Sequence, residues 1–432
     1  MSKTPNILFI CTDQQAASAM SCADNVDLRT PAMDSLAETG TRFEQAYCTQ
    51  PLCCPARASF ATGLMPHQTG AVSNDTRMRE DLHKGAVGNL FMDAGYECAY
   101  AGKWHIPGPS PEDLGFRELS GRGDAAISPA CIDFLDGRGD NPFLLVASFT
   151  NPHDICQWAR SQPLPEGPIP ETTSLEACPN LPANFPIAPF APDVLRFEQE
   201  ANPRIYPALD WSDEHWRRYR YAYYRLVEKV DAEIGLLLDG LRRAGFEEDT
   251  LIVFSSDHGD GHGAHRWNQK TAFYEECIRI PLIVSLKGVT RPGRVNRSHL
   301  VSLGLDLIPT ICDFAGLEPP AGLDGRSLRD LAEGRESASW RDQLAVETYL
   351  DLGLGSAGVQ SMARALRTQR YKYSIYAMGR HREQLVDLEA DPGEMVNLAL
   401  DTAHGEVLSD HRRRLLEHCR ATDDPFERLC VR

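Results

Sequence analysis

The 432-residue chain has no apolar run approaching the roughly 18–20 residues that cross a bilayer as a helix. A membrane partner is therefore not expected. It also lacks a positively charged opening segment leading into a long apolar core and a small-residue cleavage site; Met1-Ser2-Lys3-Thr4-Pro5 runs straight into an apolar stretch. That predicts a cytoplasmic protein. Basic residues are in deficit, with 44 Lys and Arg against 61 Asp and Glu and a formal net charge of −17. No Lys/Arg cluster interrupts the acidic balance, so a nucleic-acid partner is not expected. An anionic substrate would need a locally positive site within an unfavourable overall field. The thirteen cysteines are odd in number and follow no repeating spacing. A chain this long needs no disulfide framework, so most read as buried free thiols. Internal repeats and low-complexity tails are also lacking. The oligomeric state is left open.

What is present is an alternation of strands and helices. Asn6–Cys11, Phe143–Phe149, Leu251–Ser255 and Pro281–Ser285 are continuous apolar runs, as in strands buried on both faces. Between the later ones, Leu226, Val230, Ile234, Leu238 and Leu241 form a helical stripe. Ser212 can cap that helix, and Gly245 can end it in a left-handed conformation. This predicts an α/β fold with a mostly parallel sheet sandwiched by helices. Residues 1–335 read as one large domain. Within it, residues 158–207 carry eleven prolines and cannot be regular helix or central strand. They form either an ordered loop lining a site or a mobile insert. A break near Gly334-Arg335-Glu336-Ser337 opens a smaller α+β domain, 336–432. Short strands are expected there at Met362–Arg367, Tyr371–Tyr376 and Gln384–Asp387, with a helix over Glu406–Arg420.

Four segments carry chemistry. The first is Cys53-Cys54-Pro55-Ala56-Arg57, closed by Thr62-Gly63. A bare C-x-P-x-R arises by chance in roughly one chain in fifty of this length, so its weight comes from the segments that follow. Pro55 suits the first turn of a helix. Cys53 then sits just before a helix N-terminus, where free N–H groups favour an anion. Arg57, one turn on, is placed to brace whatever Cys53 becomes. Cys54 reads as structural. The second segment pairs Asp13, at the end of the first strand, with Asp257-His258, at the end of another. Like charges brought to one crevice need a cation. The third is Gly95-Tyr96 followed by Gly102-Lys103-Trp104-His105. If extended, it would point Lys103 and His105 to one side and Trp104 to the other. Lys103 offers a point charge, and His105 can take up a proton. The fourth runs from His265 through Lys270 to Tyr274-Glu275-Glu276.

In this order the segments resemble type I sulfatases, formylglycine-dependent members of the alkaline phosphatase superfamily. The likeness spans most of the chain, including Asp306-Leu307-Ile308-Pro309-Thr310, Gly325-Arg326-Ser327-Leu328 and the closing run from Glu383 to Leu398. It implies a sulfuric ester hydrolase acting on a small-molecule or saccharide sulfate ester. It also implies a formylglycine-generating enzyme that oxidises Cys53. The hydrated aldehyde attacks sulfur with one hydroxyl, and the other then expels sulfate. Lys103 and Lys270 become sulfate clamps, and His105 triggers sulfate release. His153, in Asn151-Pro152-His153, protonates the leaving oxygen or binds sulfate, or else belongs to an ordinary turn. His265 is a rival leaving-group acid, and His262 reads as structural. A divalent metal is implied at Asp13, Gln14, Asp257 and His258, with Gln14 either a ligand or a substrate contact. The commoner pattern has two acids after the first strand and Asp-Asn later. Asp13-Gln14 and Asp257-His258 instead resemble the choline sulfatase and phosphonate monoester hydrolase branch. The family favours calcium, whereas the imidazole admits manganese. Asn74 matches a substrate-contacting Asn of that branch, although Ser73-Asn74-Asp75 is also a good turn. The alternatives are a phosphonate monoester or phosphodiester hydrolase using the same formylglycine, and an idle binder of sulfated ligands.

Overall fold

The computed structural model describes residues 4–139, 141–201, 208–336, 339–351 and 360–431. Pro203, Pro207 and Ser337, which figure in the expected insert and break, lie outside them. The strands Asn6–Asp13, Glu97–Gly102, Phe143–Pro152 and Thr250–Ser256 are the middle of an eight-stranded sheet. All four are mutually parallel. Leu282–Ser285 runs antiparallel to both its neighbours, Thr250–Ser256 and Thr41–Phe43. The expected α/β architecture with a mostly parallel sheet is the observed one.

Alternation along each strand divides the core in two. Ile7, Phe9 and Cys11 join Leu144, Val146, Leu251 and Val253 on one face. Leu8 and Ile10 join Leu145, Ala147, Ile252 and Phe254 on the other. Period-two side-chain placement makes both faces apolar, so both must be covered by helices. Cys53–Thr62 and Leu303–Ala315 cover the first through Ala58, Phe60, Leu307 and Ile311. Asp213–Arg243 and Asp124–Asp136 cover the second through Leu226, Val230, Ile234, Ile127 and Phe134. The Ser212 side chain accepts a hydrogen bond from the His215 N–H at the start of the long helix. Gly245 takes φ +80° beyond its end.

Four antiparallel strands, Gln343–Asp351, Gln360–Thr368, Tyr371–Tyr376 and Glu383–Asp387, form the second sheet. Helix Gly405–Ala421 packs on it through Leu408, Leu415 and Cys419. The first strand of this sheet was not anticipated from sequence. Glu347 and Thr348 interrupt its apolar pattern, and both are fully buried because they have polar partners elsewhere.

The proline-rich segment needs one correction. Asp193–Ala201 is an α-helix. It fits because the window between Pro192 and Pro203 contains no proline. The stretch from Thr172 to Pro179 is tied down by the long helix. Arg217 donates to the Leu175, Cys178 and Pro179 carbonyls, and Arg218 donates to the Thr172 carbonyl.

Candidate active site

The four central strands run parallel and adjacent, so their carboxyl ends open at one edge. Each delivers a polar side chain there. Asp13 ends the first strand, Lys103 follows Gly102, His153 follows Pro152, and Asp257-His258 follows Ser256. Cys53 reaches the same point from Cys53–Thr62. It is the first residue of that helix rather than the residue before it, and Leu52 is the N-cap. Gly63 ends the helix at φ +72°.

Cys53 is fully buried among cations. Lys270 Nζ lies 3.1 Å from its Sγ, His258 Nε2 3.3 Å and Lys103 Nζ 3.9 Å. Burial and the Asp13 carboxylate push the thiol up, but Lys103, Lys270 and His258 outweigh them and hold it well below the ordinary thiol range. Half-buried His153 also hydrogen-bonds Cys53; burial, Lys103 and Lys270 push its ring down to about 4. The site is prepared for an anion even though the chain as a whole is acidic.

Arg57 corrects an expectation. It braces the carboxylates, not Cys53. Its Nε donates to Asp257 Oδ2 and its Nη2 to Asp13 Oδ2, both at 2.9 Å. Its Nη1 donates to the Lys103 carbonyl at 2.8 Å and Ser148 Oγ at 2.7 Å. Ser148, unremarked in the sequence, thus completes the clamp. All of these groups are buried. Lys103 Nζ adds a third cationic contact to Asp13 Oδ2, at 2.6 Å.

The donor set fits a divalent cation. Ligand atoms of Asp13, Cys53, Asp257 and His258 lie within 4.8 Å of one another. Arg57 occupies Oδ2 of both carboxylates; Asp13 Oδ1 faces the Cys53 thiol at 3.7 Å, and Asp257 Oδ1 accepts the Gln14 and His258 N–H groups. His258 Nδ1 lies 2.9 Å from the Gly259 carbonyl. That contact places a proton on Nδ1, so Nε2, which faces Cys53, is the nitrogen that would ligate a cation once it is deprotonated. Burial and the proximity of Asp13 raise Asp257 to about 6. Burial also raises Asp13, but Lys103, His153 and Arg57 bring it well below the usual carboxylate range. Gln14 takes φ +71°, and its Nε2 donates to Asp260 Oδ2 at 2.7 Å. Asp260 also receives Tyr219 OH and the His262 N–H. Gln14 Oε1, the end that could serve as a ligand, accepts from the Cys156 thiol at 3.6 Å. Asp260 and Tyr219 carried no sequence signal as site residues, because Asp260 lies in a glycine-rich loop and Tyr219 inside a helix stripe.

Local geometry bears on two further expectations. Lys103 to His105 is not extended, since Gly102 has φ +100° and His105 φ +54°. Trp104 packs edge-on to Tyr100 as expected, with ring centroids 4.9 Å apart. His105 Nδ1 is buried without a hydrogen-bonding partner among the described residues. His265 is fully buried, stacked 3.9 Å from Tyr274 and beside Glu276 and Glu394. Asn74 does stand at helix Cys53–Thr62; its Oδ1 accepts the Cys54 N–H at 3.3 Å.

Gly102 is required sterically. A Cβ there would lie 2.1 Å from the Ser148 carbonyl oxygen, at a φ that L residues rarely adopt. Gly102→Ala is expected to displace Lys103 and cut soluble folded yield severely, as read by expression and thermal melting.

Comparison with known proteins agrees with this arrangement. The sulfatase family profile matches residues 5–122 and 109–317, and that of the N-sulphoglucosamine sulphohydrolase C-terminal region matches 263–421. The chain is 29% identical to a Δ4,5-hexuronate-2-O-sulfatase of Bacteroides thetaiotaomicron, covering 99% of this chain and 91% of that protein. It is 29% identical to the choline-sulfatase of Rhizobium meliloti, covering 91% and 82%. A solved 2-O GAG sulfatase superposes with TM-score 0.89 at 28% identity, over 100% of this chain and 95% of that one. The phosphonate monoester hydrolase of Agrobacterium radiobacter shares the fold, with TM-score 0.82 at 22% identity over 97% and 96%. The chain belongs to the sulfatase family of the alkaline phosphatase superfamily and is a sulfuric ester hydrolase.

Proposed function

We propose that the protein hydrolyses a sulfate monoester of a saccharide, using a formylglycine made from Cys53 and a divalent cation at Asp13, Gln14, Asp257 and His258. The observation that carries this reading is the convergence of Lys270, Lys103, His258 and His153 on the Cys53 side chain. The saccharide is supported by the relatives, which include an N-acetylglucosamine-6-O-sulfatase of Bacteroides thetaiotaomicron at 27% identity. Calcium is the first choice of ion, because the donors are mainly oxygen; the His258 imidazole also suits manganese.

Hydrated formylglycine would supply paired hydroxyls for attack and release, and the bound cation would polarise them. The chain's own residues do the rest. Lys103 and Lys270 hold sulfate oxygens on either side of residue 53 and offset the charge of the transferring group. Arg57 stays on the carboxylates and keeps them in register. His153, beside Cys53, is the imidazole placed to give a proton to the departing sugar oxygen once the bound anionic ester, offsetting Lys103 and Lys270, has raised its pKa and charged the ring. His105, with an orphan Nδ1, is placed to accept one at the release step.

The second reading is phosphonate monoester or phosphodiester hydrolysis. The His258 imidazole against Cys53 favours it, as does the fold shared with the phosphonate enzyme. One comparison separates the two. Protein matured with a formylglycine-generating enzyme is given an aryl sulfate, a sulfated disaccharide and an aryl phosphonate. We expect kcat/KM for the sulfates to exceed that for the phosphonate by orders of magnitude. The reverse order would install the second reading.

A further inference from the structure

Strand Gln343–Asp351 belongs to the C-terminal sheet, yet its polar groups reach into the catalytic segments. The Glu347 N–H donates to the Thr49 carbonyl at 2.8 Å. Thr49 Oγ1 in turn donates to Ser59 Oγ, inside the nucleophile helix, at 2.9 Å. Thr348 Oγ1 donates to the Thr271 carbonyl at 2.8 Å, one residue from Lys270. One strand therefore touches the chain entering the nucleophile helix and the loop carrying the lysine.

The third contact is ionic. His67 lies on the short helix Pro66–Thr69, which follows the nucleophile helix. Its Nδ1 is 2.5 Å from Glu347 Oε1, and its Nε2 is 2.9 Å from the Thr422 carbonyl. Its backbone N–H donates to Glu347 Oε2 at 3.2 Å. The carbonyl can only accept, and so can the ionised carboxylate. Both ring nitrogens must carry protons to satisfy them, so the ring is an imidazolium. The other charges facing it are Asp424, with Oδ2 3.9 Å from Nδ1, and Arg364, which pairs with both Asp424 and Glu347. His418 is also close; burial holds its ring below its ordinary value. With His67 charged, two anions face two cations. With His67 neutral, a buried carboxylate is left over.

We propose that the His67–Glu347 pair is a charged latch by which the C-terminal sheet positions the nucleophile helix, so that both are positioning residues for the reaction at residue 53. The link to catalysis rests on the function proposed above; the latch itself does not. The pH sense follows from the partners. Burial lowers the His67 ring, but Glu347, the Thr422 carbonyl and Asp424 raise it above 6.5 overall. A raised folded value means the stabilisation is fully present below 6.5. It is lost as pH rises through the folded value.

The test uses the full chain as wild type, Glu347→Gln and His67→Gln. The His67 ring is titrated by NMR. Amide exchange over Cys53–Thr62, corrected for intrinsic rates, is followed against pH. Steady-state kinetics are measured alongside. In the wild type, His67 is expected to titrate above 6.5, and protection of the helix should fall through that same value. Glu347→Gln should lower the His67 value, reduce protection and reduce kcat about tenfold, as a small misplacement of catalytic groups does, with KM nearly unchanged. His67→Gln should remove the pH step. If Glu347→Gln does not fold, the step in wild type and its loss in His67→Gln still decide. An unshifted His67, or helix protection indifferent to its titration, overturns the latch. Exchange and titration read it even if no sulfate ester is turned over, so its failure is distinct from failure of the proposed activity.

Discussion

Cys53→Ala is expected to eliminate sulfate ester hydrolysis, with kcat falling by about 10⁵–10⁶-fold, the range seen when a covalent nucleophile is removed. The reason is geometric. Lys270, Lys103, His258 and His153 all face this one side chain, so without it they bind an anion and have nothing to transfer it to. Binding should survive. Inorganic sulfate or an uncleaved ester should still protect the variant against thermal unfolding, because the two lysines remain. The measurement is turnover beside ligand-dependent melting on the same preparation, with the mass of the Cys53 peptide establishing how much wild-type protein carries the aldehyde. Retained wild-type turnover in Cys53→Ala would end the covalent reading. Unmodified thiol after exposure to a competent formylglycine-generating enzyme would move the idle-binder alternative to the front.

The second large effect separates the lysines from Arg57. Lys270→Ala removes the cation nearest Cys53, and a loss of about 10²–10³-fold in kcat is expected from deleting one preorganised charge. The fold should persist, since Lys270 Nζ has Cys53 as its hydrogen-bonding partner among the described residues. Lys103→Ala should lose comparable activity and also some stability, because Lys103 pairs with buried Asp13 at 2.6 Å. Arg57→Ala is expected to be worst for folding, at about 3–5 kcal/mol, because it strands two buried carboxylates at once. Added divalent cation should recover part of that loss, since it supplies the missing charge. Denaturant melts with and without calcium or manganese measure this. Full activity in folded Lys270→Ala would remove that residue from the site, and an Arg57→Ala melt indifferent to metal would argue against cation binding at Asp13 and Asp257.

The sequence by itself determined the architecture and the residue types at the site. Continuous apolar runs such as Asn6–Cys11 suit strands covered on both faces, and the Leu226–Leu241 stripe suits a helix with one buried side. A polar residue at the end of such a strand, as at Asp13 and Asp257, marks the edge where ligands bind. Residue spacing along the chain carried that much because it depends on local geometry alone. Only the tertiary structure decided which groups pair. Arg57 stands one helical turn from Cys53, and local reasoning gave it to that neighbour. The sheet brings Asp13 and Asp257 closer, and two buried carboxylates outcompete one thiol for a guanidinium. His265 and His153 were equivalent as imidazoles in sequence; packing put the first against Tyr274 and the second against Cys53. The Glu347 strand was illegible for the same reason. A charge buried within an apolar pattern makes physical sense only once its partner, His67, is in place, and that partner comes from 280 residues earlier in the chain.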